Sequence, residues 1–401
     1  MKFTKEAAIE GNEKYIESIS REQNLYKRSD EIRSEFYRDY TRILHSTAYR
    51  RLKHKTQVFF ATHNDHVCTR IEHVNHVASI SYTISKDLGL NTELTSAIAI
   101  GHDVGHAPFG HQGETILKEI VCKDNIDTFW HERNSLFFID NIETLPDVNG
   151  DEQNLSLTYA VRDGIVCHCG EVDETSIRPR NDVVDLKMIF MPNQYSPFTW
   201  EGCVVKISDK IAYLGRDIED ARLLNFLDDA DTFELLQAFQ DSLKRKIEIK
   251  DINNTTLIHL FVIDLCKNSS PEEGLKLSID NLKLMKFIKD FNYKKIYNND
   301  KLNSFKNYTK LIINLIYNNL LVEYDSIKKG NYELKSIRSS LLKNSFKEWL
   351  DKYSIHMNPK YKNKIQFNLD NEKDYKRCIV YYISGMTDSF AISIFNELNS
   401  F

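Results

Sequence analysis

The stretch GHDVGHAPFGH, residues 101–111, places three histidines and one aspartate within eleven positions. Such a run is too polar for a core and too rich in ligating groups for an ordinary surface loop. Imidazole nitrogens and carboxylate oxygens together suit iron, manganese, zinc or a similar divalent ion. His102 and Asp103 are neighbours in sequence. Neighbours on a helix lie about 100° apart, so both reach one point only if it sits beside the helix end. Two ligands do not complete a site. His73, in RIEHVNHV, lies one turn from Val77 and two from Ile80, on the inward edge of a helical pattern. Asp209, in VVKISDKIAY, follows the largely apolar run Val204–Ile207. A carboxylate there needs a compensating charge. Two histidines and two aspartates from three helices would close round one octahedral ion and leave positions open for water or substrate.

Three helices must position these residues. Val67, Ile71, Val74, Ala78, Ser81, Ser85 and Leu88 recur at spacings of three and four, and Gly89 stands where a C-cap glycine belongs. A second helix reads from Thr92, with Leu94, Ala97, Ile98 and Gly101 on one face. It is expected to run to about Ala107, because the residue before Pro108 avoids the α region. A third spans 203–222, with Ile207, Ile211, Leu214, Ile218 and Ala221 as its apolar stripe. Asp209, Tyr213 and Asp217 are spaced i, i+4, i+8 and share one face of it. DVVDLKMIF, residues 182–190, is the one segment that reads as a strand, and 144–156 and 170–200 read as loops. Beyond residue 240 the chain turns rich in Lys, Asn, Ile and Tyr, yet Leu and Ile keep helical spacing. The expected fold is all-α or nearly so. Residues 1–240 form a catalytic region, and 241–401 a helical portion packed on it. No internal repeat is present, and neither G-x-G-x-x-G after a strand nor G-x-x-x-x-G-K-[ST] occurs.

The 401 residues are 41% hydrophobic and 28% charged, enough for one large or two ordinary folded units. No run of about 18 apolar residues occurs, so no membrane span is expected. The segment MKFTKEAAIEGNEKYIE lacks the apolar stretch of a secretory signal, which points to the cytoplasm. The seven cysteines are odd in number and scattered, so reduced thiols are expected. CHCGE, 167–171, invites a zinc reading, but the two thiols of C-x-C point apart and no second pair follows at zinc-ribbon spacing. Charge is uneven: 26 Lys+Arg against 39 Asp+Glu in residues 1–240, and 27 against 19 beyond. Ten of the thirteen histidines fall between His45 and His131. The chemistry is therefore expected in the acidic part. In the basic part Lys outnumbers Arg 24 to 3, which favours a solvated face. Only weak, salt-sensitive binding to single-stranded DNA is expected there.

Six blocks in order give the chain a resemblance to the HD-domain deoxynucleoside triphosphate triphosphohydrolases, the dGTPase-like branch. They are YRDYTRILHSTAYRRLKHKTQVF (37–59), TRIEHVNHV (69–77), GHDVGHAPFGHQGE (101–114), LTYAVRDGIVCH (157–168), VKISDKIAYLGRDIEDA (205–221) and GMTDSFA (385–391). The resemblance is weak over 223–380. It implies that His73, His102, Asp103 and Asp209 ligate a divalent metal, one of Mn, Fe, Mg or Zn. It implies that His106 and His111 face phosphates, with Glu114 paired to His111. FWHERNS, 129–135, is similar to a His-Glu pair found in part of the family, which adds His131 and Glu132. Lys210, Tyr213 and Asp217 fall where relatives contact triphosphate and sugar, and Arg51 and Gln57 match a block bordering sugar and base. Arg51, Arg70, Lys210 and Arg216 are the cations available to a triphosphate. The implied reaction hydrolyses a dNTP, dGTP or a broader set, to deoxynucleoside and inorganic triphosphate, with His111 as the proton donor. Relatives are homo-oligomers, tetramers or hexamers, and some need a dNTP effector.

Two other readings stand beside this one. A different HD phosphohydrolase would act on nucleoside monophosphates or guanosine tetraphosphate, but small HD enzymes lack blocks resembling 37–59 and 385–391. A non-enzymatic nucleotide sensor or DNA-binding module would have no need of four ligands flanked by acids and bases.

Overall fold

In the computed structural model, residues 2–26, 30–60, 66–169, 175–243, 248, 252–356 and 363–400 are described. The described chain is helical, with one two-stranded hairpin. Short α1 (Tyr15–Ile19) leads to α2 (Glu35–His45) and α3 (Thr47–Arg51). Ser34 and Ser46 cap these two by accepting from Tyr37 N and Tyr49 N. α4 (Arg70–Leu88) starts in a capping box, where Glu72 accepts from Thr69 N at 2.7 Å and from Thr69 Oγ1 at 2.8 Å. It stops at Gly89, whose φ of 86° needs no Cβ to be tolerated.

α5 (Thr92–Gly101) is capped by Asn91 and ends six residues before the expected limit at Ala107. The reason lies outside the helix. Ser135 Oγ donates to the His102 carbonyl and accepts from Gly105 N, so residues 102–109 turn away from the helix axis. A Cβ on Gly105 would meet Ser135 N at 2.1 Å, so only glycine lets the two segments touch. After this turn come α6 (Gly110–Lys123) and α7 (His131–Phe137).

β1 (Thr144–Pro146) pairs antiparallel with β2 (Glu152–Asn154), Thr144 opposite Asn154. The sequence pattern reads this segment as loop, because three-residue strands are too short to show alternation. The strand expected over 182–190 does not form. Leu186–Met188 make one 3-10 turn, and Val183, Met188 and Phe190 stand exposed with no strand beside them to pair. Residues 170–174, at the start of the loop read over 170–200, lie outside the described residues.

α8 (Tyr159–Val166) and α9 (Trp200–Leu223) run through the middle of the core. α9 packs on α4, α5, α8 and on the later α11 (Asn254–Asn268) and α12 (Ile279–Asn292), which follow α10 (Asp229–Leu243). Helices on every side explain why charged Lys206, Lys210, Asp217 and Asp220 are buried on α9 along with its apolar stripe. α13 (Asn303–Leu321) and short α14 (Tyr324–Lys328) lead to α15 (Ser340–Tyr353), α16 (Glu372–Ser384) and α17 (Asp388–Asn399). α13 and α16 pack against α6. No single helix among the described residues is long and apolar enough to cross a membrane.

Candidate active site

α4, α9 and the turn that follows α5 converge on one cavity of about 360 Å³. His73 on α4 and Asp209 on α9 meet, Nε2 to Oδ1 at 3.0 Å. His102, one residue past α5, brings its Nε2 to 4.0 Å from the same oxygen and 3.8 Å from Asp103 Oδ2. His102 Nδ1 is engaged with the Ala99 carbonyl at 2.6 Å, and its buried Nε2 has no hydrogen-bond partner. A ring fixed this way turns a lone pair toward Asp103 and Asp209. Ligand atoms about 2.1 Å from one ion stand roughly 3 Å apart when adjacent and about 4 Å when opposite. The spacings of His73, His102 and Asp209 fall in that range, so these side chains can hold a divalent metal.

Asp103 also carries an ion pair with the buried Arg70 guanidinium. Burial opposes ionisation of Asp103, but Arg70 and then the neighbouring rings hold its carboxyl well below the usual range. Burial likewise opposes ionisation of Asp209, and the hydrogen bond and charge of His73 overcome it. Burial keeps His102 neutral.

Beside this cluster stands a bank of three histidines. His106 stacks on His131 with centroids 4.7 Å apart and lies 5.2 Å from His111. The turn through Pro108 thus brings His106 and His111 side by side. Glu114 is where geometry departs from the expected pairing. Its Oε2 accepts from His131 Nδ1 at 3.0 Å but stays 3.9 Å from His111 Nδ1. Both His111 and Glu114 sit on α6, and a carboxylate three residues along faces inward to His131 while the His111 side chain is 57% exposed at the mouth. Burial lowers the pKa of His131, yet Glu132, Glu114 and Asp103 together push it up to about 10. His131 is a cation at neutral pH, while burial and the Arg70 charge keep His106 neutral. Neither ring nitrogen of His106 has a hydrogen-bond partner.

Tyr213 and Asp217 of α9, Gln57, and Tyr293, Tyr297 and Asn298 from beyond residue 240 also line the cavity. Tyr297 Oη donates to Asp217 Oδ2 at 2.5 Å. Burial pushes the Asp217 carboxyl up to about 7, against the pull of that hydrogen bond.

Not every expected residue lines the cavity. Arg51 is held by Glu143 at 3.0 Å and lies over the Phe138 ring. Arg216 reaches Asp220 at 3.2 Å and the His66 carbonyl. Lys210 is buried on α9 to one side of the cavity wall. These three follow Coulomb partners or core packing that no linear pattern shows. Arg70 lines the cavity, but as the partner of Asp103.

His168 is the ligand-type residue the sequence reading passed over. It sits two residues past α8 exactly as far from its carbonyl partner as His102 does: Nδ1 contacts Ile165 O, three residues back, at 2.6 Å. Its ring lies 4.8 Å from His102, and burial lowers its pKa to about 3. A histidine between the two cysteines of CHCGE was the available signal. Those cysteines have separate neighbours, Cys167 on Asp163 and Cys169 on Glu132, while Gly170 and Glu171 lie outside the described residues.

A helical core with a His/Asp cluster at the end of α5 defines a class, and residues 70–214 match the HD domain. Residues 333–397 match the phosphohydrolase-associated domain. The chain is 31% identical over 377 residues to the deoxyguanosinetriphosphate triphosphohydrolase-like protein of Clostridium tetani, covering 93% of this chain and 88% of that one. It is 30% identical over 382 residues to the like-named protein of Caldanaerobacter subterraneus, covering 94% and 90%. Over 190 residues it is 45% identical to that of Desulfatibacillum aliphaticivorans, 47% of this chain and 48% of the relative. The chain belongs to the deoxyguanosinetriphosphate triphosphohydrolase-like family of HD-domain phosphohydrolases.

Proposed function

We propose that this protein hydrolyses deoxynucleoside triphosphates, dGTP or a broader set, to deoxynucleoside and inorganic triphosphate. The observation that carries the reading is the set of groups that line one cavity. A His/Asp cluster, the His131 ring beside Glu114 and Glu132, and the Asp217–Tyr297 pair all face it. The first two suit a polyphosphate and the last suits a sugar hydroxyl. The names of the relatives agree with this choice of substrate.

His73, His102, Asp103 and Asp209 would hold the ion, which supplies Lewis acidity toward a phosphate oxygen and a water molecule. The water oxygen loses a proton to solvent as it bonds to the α-phosphorus, the bond from that phosphorus to O5′ breaks, and O5′ takes a proton from His111, which is recharged from solvent. Triphosphate leaves with the oxygen of water. His131, held charged by Glu114 and Glu132, offsets phosphate charge. His111, open to solvent at the mouth, can donate its proton to O5′ and reload. Arg70 balances Asp103 and so leaves the phosphates mainly to the ion and to His131.

The test is incubation with Mn²⁺ and each of the four dNTPs, alone and in pairs, followed by product analysis. Inorganic triphosphate is expected. Pyrophosphate or orthophosphate as the first product would replace this reading with another HD phosphohydrolase reaction. A rate seen only in pairs would add a nucleotide effector.

A further inference from the structure

The turn that carries His106 and His111 contains a residue in an unfavourable conformation. Phe109 has φ 64°, in the left-handed region, although it carries a bulky side chain. Such a residue persists only where its surroundings over-determine it. The surroundings come from two distant segments. Asp388, in the corner between α16 and α17, accepts from Phe109 N at 2.7 Å through Oδ1. Its Oδ2 accepts from Thr56 N at 2.8 Å and Thr56 Oγ1 at 2.5 Å. Lys55, fully enclosed, donates from Nζ to the His106 carbonyl and to the Ser384 carbonyl, the latter at 3.0 Å. Asn134 donates to the Gly105 carbonyl and to Ser384 Oγ. The Phe109 ring meets Phe60 and, at 6.5 Å, Phe305 of α13. The backbone of 105–109 is thus tied at three points: to Asp388, 279 positions beyond Phe109, to Lys55 in the segment just before α4, and to Asn134 of α7, which itself reaches Ser384.

We propose that Lys55 and Asp388 are positioning residues that hold the turn 105–111 in place, so that the C-terminal end of the chain sets where His106 and His111 stand in the cavity. Neither touches the cavity itself. A carboxylate is needed at 388, because the two oxygens serve donors from two separate segments. Asparagine offers one acceptor and would turn a donor toward Thr56 N or Phe109 N. Lys55 Nζ stands between two carbonyl acceptors from separate segments and supplies a donor to each.

The kinetic arm of the test rests on the proposed triphosphate release, and an exchange arm does not. In Asp388→Ala, amide hydrogens in peptides covering 104–112 should exchange about tenfold faster, while those covering 205–221 keep their protection. Metal content should stay that of the parent, and kcat should fall about tenfold to 100-fold, the scale of a small misplacement of catalytic groups. Asp388→Asn should resemble Asp388→Ala. Unchanged exchange in 104–112, or acceleration spread equally over 205–221, overturns the proposal. Should Asp388→Ala not fold, Thr56→Val against Thr56→Ser decides, because only the first removes the hydroxyl donor. Faster exchange in 104–112 with Thr56→Val alone supports the strap, and identical behaviour of both variants and the parent overturns it. If the parent releases no triphosphate, the functional reading fails while the exchange arm still judges the strap.

Discussion

Asp209 and Asp217 lie two turns apart on one face of α9, open onto the same cavity, and are driven in opposite directions. Both are buried enough for desolvation to favour the neutral acid. At Asp209 the hydrogen bond from His73, and then the His73 charge, outweigh burial and keep the carboxylate ionised. At Asp217 the Tyr297 hydrogen bond and the charges of His73 and Arg70 do not outweigh burial. One carboxyl on this face of α9 is therefore held charged and the other is pushed toward its neutral form. The general lesson is that helical spacing places groups on a face, while the partners from other helices decide their charge.

The largest effect that bears on this contrast is expected from Asp209→Ala. It should remove bound metal and lower triphosphate release by more than the roughly 100-fold that outer-shell changes cost, with helical content retained. Asp103→Ala should do the same and also strand Arg70. Elemental analysis showing full metal occupancy in either variant would remove the cluster from its role. His111→Ala should reduce kcat by about 10²-fold or more with little change in KM, the mark of a proton donor. His131→Gln should instead raise KM through loss of a cation. Steady-state kinetics separate the two, and reversed signatures would exchange their roles.

Around Asp217, substrate choice is the readout. On the proposed reading Gln57, Tyr213 and Tyr297 would pack round the sugar, and an added 2′-hydroxyl would clash or strand a buried polar group. dGTP should be hydrolysed at least about 100-fold faster than GTP. Equal rates would contradict a sugar subsite there.

The smallest effect is thermodynamic. A carboxyl whose folded pKa is raised to about 7 costs stability as pH rises from its unfolded value, and the cost levels off above 7. Asp217→Asn keeps an acceptor for Tyr297 and cannot ionise. Its stability advantage over the parent should therefore be absent near pH 4, grow to roughly 1–4 kcal/mol by pH 7 and then stay flat. Denaturation of metal-free protein across that range checks it, and an advantage independent of pH would show that Asp217 does not titrate as its burial requires.

The sequence by itself determined the helices that carry the cluster, because their signals are local. The spacing of Val74, Ser81, Ser85 and Leu88, closed by Gly89, marks α4 within a short stretch of chain, and all four of those side chains are buried. The HD pair and Asp209 were legible for the same reason, as polar groups at the edges of strong apolar patterns. What lay beyond local pattern went unread or was misplaced. The end of α5 is decided by Ser135, some thirty residues away, and the pairing of Glu114 with His131 rather than His111 by the direction α7 takes past α6. Arg51 and Arg216 were drawn off by Glu143 and Asp220, and Tyr297 reached Asp217 across 80 positions. Only the tertiary structure settled these matters, because ion pairs and hydrogen bonds depend on distance in space, and distance in space follows from how whole helices pack.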